Sequence, residues 1–410
     1  MEKSAYNIEK ITNNGILIYN TFTGAVISLE GNNVDYYQNE NFEKIPELNS
    51  LVELGIIVKS KIDEKNEMKK LRDKFINGNE SLYVTILPTT LCNLRCVYCF
   101  ESIRNITMND TVIEHMIPFI KDTLLNKKYK HLHVSWFGGE PLYYPNLVKK
   151  IYKQVLEVVE DLGINFSNSI VTNGTFLDEE NIKMLSTMKN ITSVQVTVDG
   201  CKKVHDLRKP MIKSGSYDKI IENLKKCVGQ LPISLRINVD KTNYGEIESL
   251  IKELSLYKGF KEHFKVYFAR VIGSSESYTN FEFATIRSNC YKLLKKYGFI
   301  YSIKESLPEQ KAVQCSALTN HLLVFDSNGD IYTCWEAVGN QEYKIGDVYS
   351  GISNSKRKLQ GVEKEECHQC KLFPICHTGC PKQYKEPLKD NCLFISELLI
   401  DDIEELIVND

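Results

Sequence analysis

The chain has 410 residues, 42% hydrophobic and 25% charged, which is typical of a soluble globular protein of two or three domains. Its 51 Lys and Arg residues nearly balance 53 Asp and Glu residues, so net charge provides no attraction to nucleic acid or to an anionic membrane. The opening residues MEKSAYNIEK lack the apolar core of a signal peptide, and no apolar run is long enough to span a bilayer. These features predict a cytoplasmic protein.

Residues 1–80 are predicted to form a small separate domain. The segment GILIYNTFTGAVISLE at 15–30 predicts two strands around a turn at TFTG, and FEKIPELNSLVELGIIV at 42–58 predicts a helix followed by a short strand. The charged segment KIDEKNEMKKLRDKF at 61–75 predicts a solvent-exposed helix that leads into the next domain.

Residues 81–311 alternate between predicted strands and predicted helices. The strands are SLYVTILPTT at 81–90, HLHVSWFGGE at 131–140, NSIVTNGT at 168–175, SVQVTVDG at 193–200, ISLRINVD at 233–240 and FKVYFARVIG at 264–273. Six strand–helix units predict an α/β fold whose parallel sheet curves into a partial (β/α)6 barrel, similar to a TIM barrel. Since catalytic groups in such barrels follow the strands, the strand-end segments are expected to meet on one face.

Residues 312–410 are predicted to form a third domain. The segment HLLVFDSNGDIYTCW at 321–335 predicts a β-hairpin with a type I′ turn at Asn328 and Gly329. Residues 340–400 are rich in Cys and lack a regular hydrophobic pattern, so metal is expected to hold this region together.

Thirteen cysteines need an explanation in a cytoplasmic protein, where disulfides do not persist. Cys92, Cys96 and Cys99 form a C-x3-C-x2-C set, which presents three thiolates to a [4Fe–4S] cluster and leaves one iron open. A zinc site with a remote fourth ligand is the alternative. Seven more cysteines form a second set near the C-terminus, and the other three, Cys201, Cys227 and Cys290, are predicted to be small core residues.

CNLRCVYC after the first barrel strand and GGEP after the second resemble the radical S-adenosylmethionine (SAM) enzymes. The resemblance implies that Cys92, Cys96 and Cys99 hold a cluster whose open iron binds the amino and carboxylate groups of SAM. It further implies that Tyr98 flanks the adenine, and that Gly138, Gly139 and Glu140 receive the methionine ammonium.

The resemblance also implies roles for polar residues after later strands. Asn173 and Thr197 would face the ribose or the methionine carboxylate. The segment DGCKKVHDLRK makes Asp199, His205 and Arg208 candidates for shaping the SAM site, and LRINVD adds Arg236 and Asn238. Ordinary polar residues at strand ends are the alternative interpretation.

The second cysteine set resembles the SPASM extension of radical SAM enzymes, which binds two auxiliary [4Fe–4S] clusters. The implied ligands of the outer cluster are Cys367, Cys370, Cys376 and Cys392, and those of the inner cluster are Cys315, Cys334 and Cys380. A zinc ribbon is the alternative. Because the inner set has three thiols, its open iron is available to a substrate thiolate unless His321 is the fourth ligand.

Two subgroups of this family fit the chain. Peptide maturases often begin with a winged-helix-like domain that binds a leader peptide, which residues 1–80 resemble, although a stabilising cap is the alternative. Anaerobic sulfatase-maturating enzymes, which form formylglycine, use an Asp after the hairpin Cys, where this chain has Trp335 and then Glu336. We therefore predict a maturase that forms a thioether in a precursor peptide, with a carbon–carbon cross-link or sulfatase maturation as alternatives.

The same resemblance implies a reductant such as flavodoxin or ferredoxin, and the predicted partners include neither nucleic acid nor a membrane. A non-catalytic iron–sulfur carrier is a third possibility, which the C-x3-C-x2-C and GGEP motifs oppose because a carrier needs no SAM pocket. The predicted cofactors are SAM and three [4Fe–4S] clusters.

Overall fold

The computed structural model describes residues 1–78, 80–101, 104–211, 214–299, 307–313, 315–353, 359, 365–377, 380–382, 392 and 394–407. Within these ranges, none of the helices combines the length and apolar composition that crossing a membrane requires.

Residues 1–78, called the N-terminal domain below, contain a three-stranded antiparallel sheet and three helices. The strands are β1 (Glu2–Lys3), β2 (Asn7–Thr12), β3 (Gly15–Asn20), β4 (Val26–Glu30) and β5 (Ile57–Val58), and the helices are α1 (Asn32–Gln38), α2 (Leu48–Glu53) and α3 (Lys61–Asn77). The sheet order is β2-β3-β4, and β1 pairs separately with β5. The strands predicted around TFTG and the helix predicted at 61–75 are present.

The sequence analysis missed β2, because a polar residue occupies a core position in it. Asn7 is buried, and its Nδ2 donates hydrogen bonds to Ile56 O at 2.8 Å and to the Tyr37 hydroxyl at 3.0 Å. A side chain satisfied in this way can sit in a core. Its polarity nevertheless interrupts the alternation by which a strand is recognised.

The central structure is a mostly parallel sheet of ten strands. They are β6 (Ser81–Ile86), β7 (His131–Trp136), β8 (Asn165–Thr172), β9 (Ile191–Thr197), β10 (Ile233–Val239), β11 (Lys265–Arg270), β12 (Leu322–Phe325), β13 (Asp330–Tyr332), β14 (Gly346–Asp347) and β15 (Gly351–Ile352). The order is β11-β10-β9-β8-β7-β6-β12-β13-β14-β15, with β6 to β11 parallel in sequence order. All six predicted barrel strands are therefore present and adjacent as expected for a partial barrel.

Helices cover the outer face of this sheet. They are α4 (Asp110–Lys127), α5 (Pro145–Leu162), α6 (Glu179–Ser186), α7 (Lys202–Arg208), α8 (Tyr217–Cys227), α9 (Ile247–Ser255), α10 (Phe260–His263) and α11 (Asn280–Lys296). Three further helices lie near the C-terminus, away from this face: α12 (Glu365–His368), α13 (Phe373–Cys376) and α14 (Ser396–Ile407). In β7, Leu132, Val134 and Trp136 are buried, whereas the intervening residues are half-buried and polar. The apolar outer face holds the helices, and the polar inner face is left for ligands.

The predicted hairpin is present, but the predicted type I′ turn is wrong. A type I′ turn needs positive φ at both central residues. Gly329 has φ +88°, and Asn328 is not among the residues with positive φ. Instead the Asp326 carboxylate accepts hydrogen bonds from the Asn328 and Asp330 amides, at 2.9 and 3.0 Å, and Gly329 N donates to Asp326 O at 3.0 Å. This pattern is a type I turn closed by a left-handed glycine.

The hairpin also extends the barrel sheet. β12 pairs in parallel with β6, from Leu322 opposite Tyr83 to Phe325 opposite Ile86. The predicted boundary between residues 311 and 312 therefore falls where the chain returns to the barrel edge, and the two predicted domains share one sheet.

Candidate functional site

A cavity of about 230 Å³ opens at the C-terminal ends of the barrel strands. Its lining residues are Cys92, Leu94, Arg95, Cys96, Cys99, Glu101, Gly138, Gly139, Val171, Thr172, Asn173, Thr197 and Lys209. The structure thus brings the first cysteine set together with the two glycines of GGEP, Asn173 and Thr197. Parallel strands place their carboxyl ends on one rim, which explains how residues from four segments meet here.

The loop that carries the three cysteines is fixed by backbone contacts to the end of α7. Arg95 N donates to Pro210 O at 2.9 Å, and Val97 N donates to Arg208 O at 3.0 Å. Because these bonds join main-chain atoms, they hold the loop in position independently of side-chain identity. The DGCKKVHDLRK segment therefore supports the cysteine loop directly.

The thiols lie in an environment suited to thiolate ligands of a metal cluster. Cys92 Sγ accepts contacts from Leu94 N at 3.4 Å and from Asn173 Nδ2 at 3.7 Å. Burial raises the pKa of all three thiols above the usual range, that of Cys92 to about 11, and the Lys209 charge opposes this rise at Cys96. Without a metal the thiols are thus neutral at pH 7, whereas N–H donors and a nearby cation favour the thiolates that an iron–sulfur cluster needs.

The two glycines pack against the start of the cysteine loop. Gly138 has φ +119°, which L side chains rarely adopt, and a Cβ on Gly139 would lie 2.3 Å from Leu91 O and 2.5 Å from Thr90 O. Gly139 N donates to Thr89 O at 3.1 Å. Glycine is needed here because backbone meets backbone, a reason separate from the predicted approach of SAM.

Glu140 points away from the cavity. Its carboxylate is fully buried and accepts hydrogen bonds from Leu142 N at 2.9 Å, the Thr172 hydroxyl at 2.8 Å and Asn173 N at 2.7 Å. The carboxylate therefore joins the end of β7 to the end of β8. Three of its lone-pair sites are thus used within the protein, and the predicted contact with the methionine ammonium stays a prediction.

Tyr98, Asp199 and Arg208 form a buried network beside the cavity. The Tyr98 hydroxyl donates to the Asp199 carboxylate, and the Arg208 guanidinium lies 5.3 Å from the centre of the Tyr98 ring. Arg208 Nη1 also donates to both carboxylate oxygens of Asp240 at 2.8 Å. These three residues do not line the cavity, so they hold the cysteine loop against the ends of β9 and β10.

His205 has a defined protonation state in this network. Its Nδ1 accepts from Asp199 N at 3.2 Å, and the Ser216 hydroxyl, 3.1 Å from Nε2, donates to Lys209 O. The proton is therefore on Nε2. Burial, reinforced by the charges of Lys209 and Arg208, lowers the pKa of His205 well below its usual value, so the ring is neutral and structural.

Arg236 and Asn238 lie on the next strand, outside the cavity lining. Arg236 pairs with Thr197 across β9 and β10, and its Nε donates to Asn238 Oδ1 at 2.7 Å. Asn238 N donates to Asp199 Oδ1 at 2.9 Å. The Asn238 backbone thus supports Asp199, and Arg236, two residues earlier, lies on the same face of β10 as the Asn238 side chain.

Two cavity residues were missed by the sequence analysis. Lys209 is 3% exposed and lines the cavity, and no carboxylate in the described ranges pairs with its ammonium group. Glu101 also lines it, and burial raises the pKa of its carboxyl to about 7. No spacing signal identifies either residue: Lys209 ends the DGCKKVHDLRK segment, Glu101 lies two residues after Cys99, and the course of the chain brings each to the cavity.

The second cysteine set divides into two groups in space. Burial is the main cause of the raised pKa of Cys315 and of Cys334, and a neighbouring thiolate adds to each rise, that of Cys380 at Cys315 and that of Cys315 at Cys334. Cys392 is affected in the same way by Cys376 and Cys370. These neighbours belong to the inner and outer groups that the resemblance implies, and their role as cluster ligands stays a prediction. No three His, Cys, Asp or Glu side chains of the described part of the chain are arranged around a single metal ion.

His321 caps a helix. Its Nε2 lies 2.7 Å from Phe75 O and 2.8 Å from Ile76 O, near the end of α3, and its Nδ1 lies 2.9 Å from the Tyr129 hydroxyl. Carbonyls only accept hydrogen bonds, so Nε2 carries the proton and Nδ1 accepts from Tyr129. Both ring nitrogens are engaged away from the inner cysteine group.

We expect His321→Ala to leave the iron content of the reconstituted protein unchanged while lowering the free energy of unfolding by about 1–3 kcal/mol, because two partly buried carbonyls at the end of α3 lose their donor. Iron analysis and thermal melting check this. Fewer irons per chain, or a changed electron paramagnetic resonance spectrum of the clusters, would instead identify His321 as a ligand.

An aromatic row connects the two cysteine regions. Phe100 directly follows Cys99, and its ring stacks on Phe137 with centroids 6.3 Å apart. The Phe137 ring lies 5.3 Å from Trp335, which directly follows Cys334. Phe100 is 54% exposed and Trp335 is 45% exposed. The row therefore offers an apolar surface between the first cysteine set and the inner group.

The prediction that the three cysteines outside both sets are small core residues is confirmed for two of them. Cys227 and Cys290 are completely buried, and Cys201 is half-buried against the core. Burial raises the pKa of both fully buried thiols to about 12.

Comparison with known proteins agrees with this geometry. Residues 86–254 match the sequence profile of the Radical SAM superfamily. The cysteine-type anaerobic sulfatase-maturating enzyme of Clostridium novyi is 26% identical over 354 residues, which cover 75% of this chain and 90% of that protein. The counterpart from Clostridium perfringens is 25% identical over 348 residues, covering 74% and 89%.

Two solved structures show the same fold. AnSMEcpe with bound AdoMet has a TM-score of 0.61 and 21% identity, covering 80% of this chain and 98% of that one. SuiB of Streptococcus suis has a TM-score of 0.53 and 16% identity, covering 97% and 99%. The SuiB match leaves only 3% of this chain outside, so it extends into the N-terminal domain. The radical SAM superfamily uses SAM and a [4Fe–4S] cluster, and from the profile match over residues 86–254, the relatives and the cysteine-lined cavity we conclude that this enzyme contains a radical SAM domain.

Proposed function

We propose that this enzyme joins a cysteine sulfur to a carbon atom of another residue within a ribosomally made precursor peptide. The observation that carries the proposal is the aromatic row, which links the cavity of the first cysteine set to a second group of three thiols. Phe100 and Trp335 expose their rings between these two sites. A peptide on this surface would contact both.

The cavity residues fit a SAM-bound cluster. Cys92, Cys96 and Cys99 would hold the cluster, Thr197 and Asn173 would contact SAM, and the glycine backbone would approach it closely. When bound and reduced, this pair supplies a 5′-deoxyadenosyl radical. The protein orients the bound molecules and keeps water away from the reacting atoms.

Lys209 is the residue we assign to the SAM carboxylate. Replacing a buried ammonium that pairs with a carboxylate removes about 1.5–3 kcal/mol. We therefore expect Lys209→Met to weaken SAM binding by about tenfold to a hundredfold. Equilibrium dialysis of the reconstituted protein measures this.

Two controls separate that contact from a general effect of charge. Lys203→Met, at an exposed position of α7, should bind SAM like the parent. Decarboxylated SAM should bind Lys209→Met and the parent equally. An equal loss of affinity for SAM and decarboxylated SAM would assign Lys209 to the cluster or the fold instead of the carboxylate.

A peptide substrate is supported by the relatives. SuiB has been solved bound to the precursor peptide SuiA, and anSMEcpe bound to the Cp18Cys peptide. The N-terminal domain is the proposed site for a leader peptide. β4 pairs with β3 alone among the described strands, so its other edge is available to an added strand.

The bond proposed between sulfur and carbon balances as follows. The acceptor carbon loses one hydrogen atom, which leaves in 5′-deoxyadenosine. The substrate thiol loses a proton to solvent, and the remaining electron passes to the redox partner, for which flavodoxin or ferredoxin is proposed. Cys315, Cys334 and Cys380 form a group of three, and His321 is engaged elsewhere, which favours an inner cluster able to hold a substrate thiolate.

Three clusters would contain about twelve irons per chain, four in each. Iron analysis after anaerobic reconstitution tests this number. About four irons would mean that the first cysteine set alone binds a cluster, and zinc in the C-terminal region would indicate a zinc ribbon.

Oxidation of a single substrate residue is the second candidate, because both curated relatives named above are sulfatase-maturating enzymes. At the position where that chemistry would use an Asp base, this chain has Trp335. The next residue, Glu336, lies 3.7 Å from Lys382 Nζ in an ion pair. Because this carboxylate is engaged by an ammonium, that ion pair would have to open before Glu336 could take a proton from a substrate, which favours the thioether.

The test is co-expression with small Cys-rich peptides encoded beside the gene, followed by intact mass and fragmentation. A thioether lowers the mass by two hydrogens and removes one alkylatable thiol per link. A carbon–carbon link loses the same mass but leaves every thiol alkylatable. An aldehyde in place of a single cysteine would establish sulfatase-type oxidation instead.

A further inference from the structure

We infer that the outer cysteine group holds the N-terminal domain in place, so that loading of its cluster and the order of the peptide-recognition surface depend on each other. This inference rests on the outer cluster of the proposed function. It assigns that cluster a structural role in presenting the leader-binding domain.

The sheet of the N-terminal domain is buried on both faces. Ile16 and Ile18 of β3 pack into the domain's own core with Leu29 and Tyr37. The alternate residues of β3 lie on the opposite face, where they join a separate cluster. Its members are Ile8, Leu17, Tyr19, Ile375, Leu399, Ile400 and Ile403. The second face of the recognition sheet is therefore covered by the C-terminal segment.

The covering segment contains three of the outer cysteines. Ile375, which is fully buried in that cluster, directly precedes Cys376. Cys367 packs against a second contact cluster of Tyr6, Met68 and Phe373. In residues 365–377, side chains that pack against the N-terminal domain thus lie between cysteines that would bind iron.

Polar contacts fix the same segment from the N-terminal side. The Thr21 hydroxyl donates to Lys371 O at 2.5 Å, one residue after Cys370. Lys65 Nζ donates to Gln369 Oε1 at 2.6 Å, one residue before it. Lys10 pairs with Asp401 and Glu404 of α14, both at 2.5 Å. These exposed ion pairs add little free energy, so the buried apolar contacts and the Thr21 bond are the main attachment.

Residues 365–377 have little structure that could persist alone. Their two helices, α12 and α13, have four residues each, far below the length at which an isolated helix is stable. The segment must be held from outside, by the N-terminal domain on one side and by metal on the other. Two attachments that order the same segment stabilise each other, and the coupling is reciprocal.

The first test uses the full-length, anaerobically reconstituted protein and its Cys367→Ser/Cys370→Ser variant, followed by hydrogen exchange and iron analysis. We expect the variant to lose about one third of its iron. Amides of residues 7–20 should exchange at least tenfold faster, whereas those of β7 and β8 should be unchanged. The matched control, Cys315→Ser/Cys334→Ser, removes as many cysteines and should leave residues 7–20 protected.

The reciprocal test changes no cysteine. Tyr6→Ala should speed the loss of about four irons to a chelator by fivefold or more, because Tyr6 packs with Phe373 beside Cys367. Lys3→Ala, which alters a half-buried ion pair with Glu9 inside the N-terminal domain, should not. If the Cys367→Ser/Cys370→Ser variant also loses structure in the barrel, the rate of iron loss from Tyr6→Ala becomes the test of the inference.

Unchanged exchange at residues 7–20 in an iron-depleted Cys367→Ser/Cys370→Ser protein would overturn the inference, as would parental iron content in that variant. Assays of 5′-deoxyadenosine on the same samples report on the SAM site separately. If the reconstituted protein forms no 5′-deoxyadenosine while the exchange pattern is as expected, the proposed function is rejected and this inference still holds.

Discussion

Replacement of Cys92, Cys96 and Cys99 by alanine is expected to abolish formation of 5′-deoxyadenosine from SAM under reducing conditions. The three thiols line one cavity with Gly138 and Gly139. Without them no open iron is available to bind SAM, so the rate should fall to the background measured without enzyme. Chromatography of anaerobic reactions with dithionite, SAM and the variant measures the product.

The matched control is the triple alanine variant of Cys201, Cys227 and Cys290. It removes the same number of thiols from positions outside both cysteine sets, and it should retain 5′-deoxyadenosine formation at a rate close to that of the parent. A normal rate in the Cys92, Cys96 and Cys99 variant would show that the SAM site has been wrongly assigned.

Removal of the inner group is expected to separate SAM cleavage from peptide modification. In Cys315→Ala/Cys334→Ala, 5′-deoxyadenosine should still form, because the first cysteine set and its cavity are intact. The cross-linked peptide should be undetectable, since no site remains to hold the substrate thiolate next to the radical. Both products are measured in one reaction with the co-expressed precursor.

Continued SAM cleavage in this variant also shows that the barrel has folded, so the experiment contains its own control. Cross-linking at the parental rate would contradict a role for the inner group in holding sulfur. Loss of both activities, with normal circular dichroism, would instead place the inner cysteines on the electron path to the first cluster.

The site was largely predictable wherever its signal lies in short spacings. The C-x3-C-x2-C triplet, the glycines after β7 and the polar residues after β8 and β9 were identified, and the structure brings Cys92, Gly139, Asn173 and Thr197 to one cavity. Strand ends meet on one rim of a parallel barrel, so knowing the strand order was sufficient to place them together.

The orientation of individual side chains was less predictable. Glu140 belongs to the identified motif, yet its carboxylate is committed to Leu142, Thr172 and Asn173. Arg208 was a candidate SAM contact, but it pairs with Asp240 outside the cavity. A motif shows which segment approaches the ligand. Whether a side chain faces the ligand or the protein depends on donors supplied by other strands.

Six parallel strands, their helices and the division of ten cysteines into two sets could be inferred from the amino-acid sequence alone. Each of these features depends on residues only a few positions apart, whose alternation, helical periodicity or spacing can be recognised in the sequence. The tertiary structure alone decided that Lys209 enters the cavity, that His321 caps α3, and that the N-terminal sheet is covered by residues 365–377 and α14. Each of those outcomes depends on partners far apart in the chain, whose contact arises from packing and leaves no local pattern in one sequence.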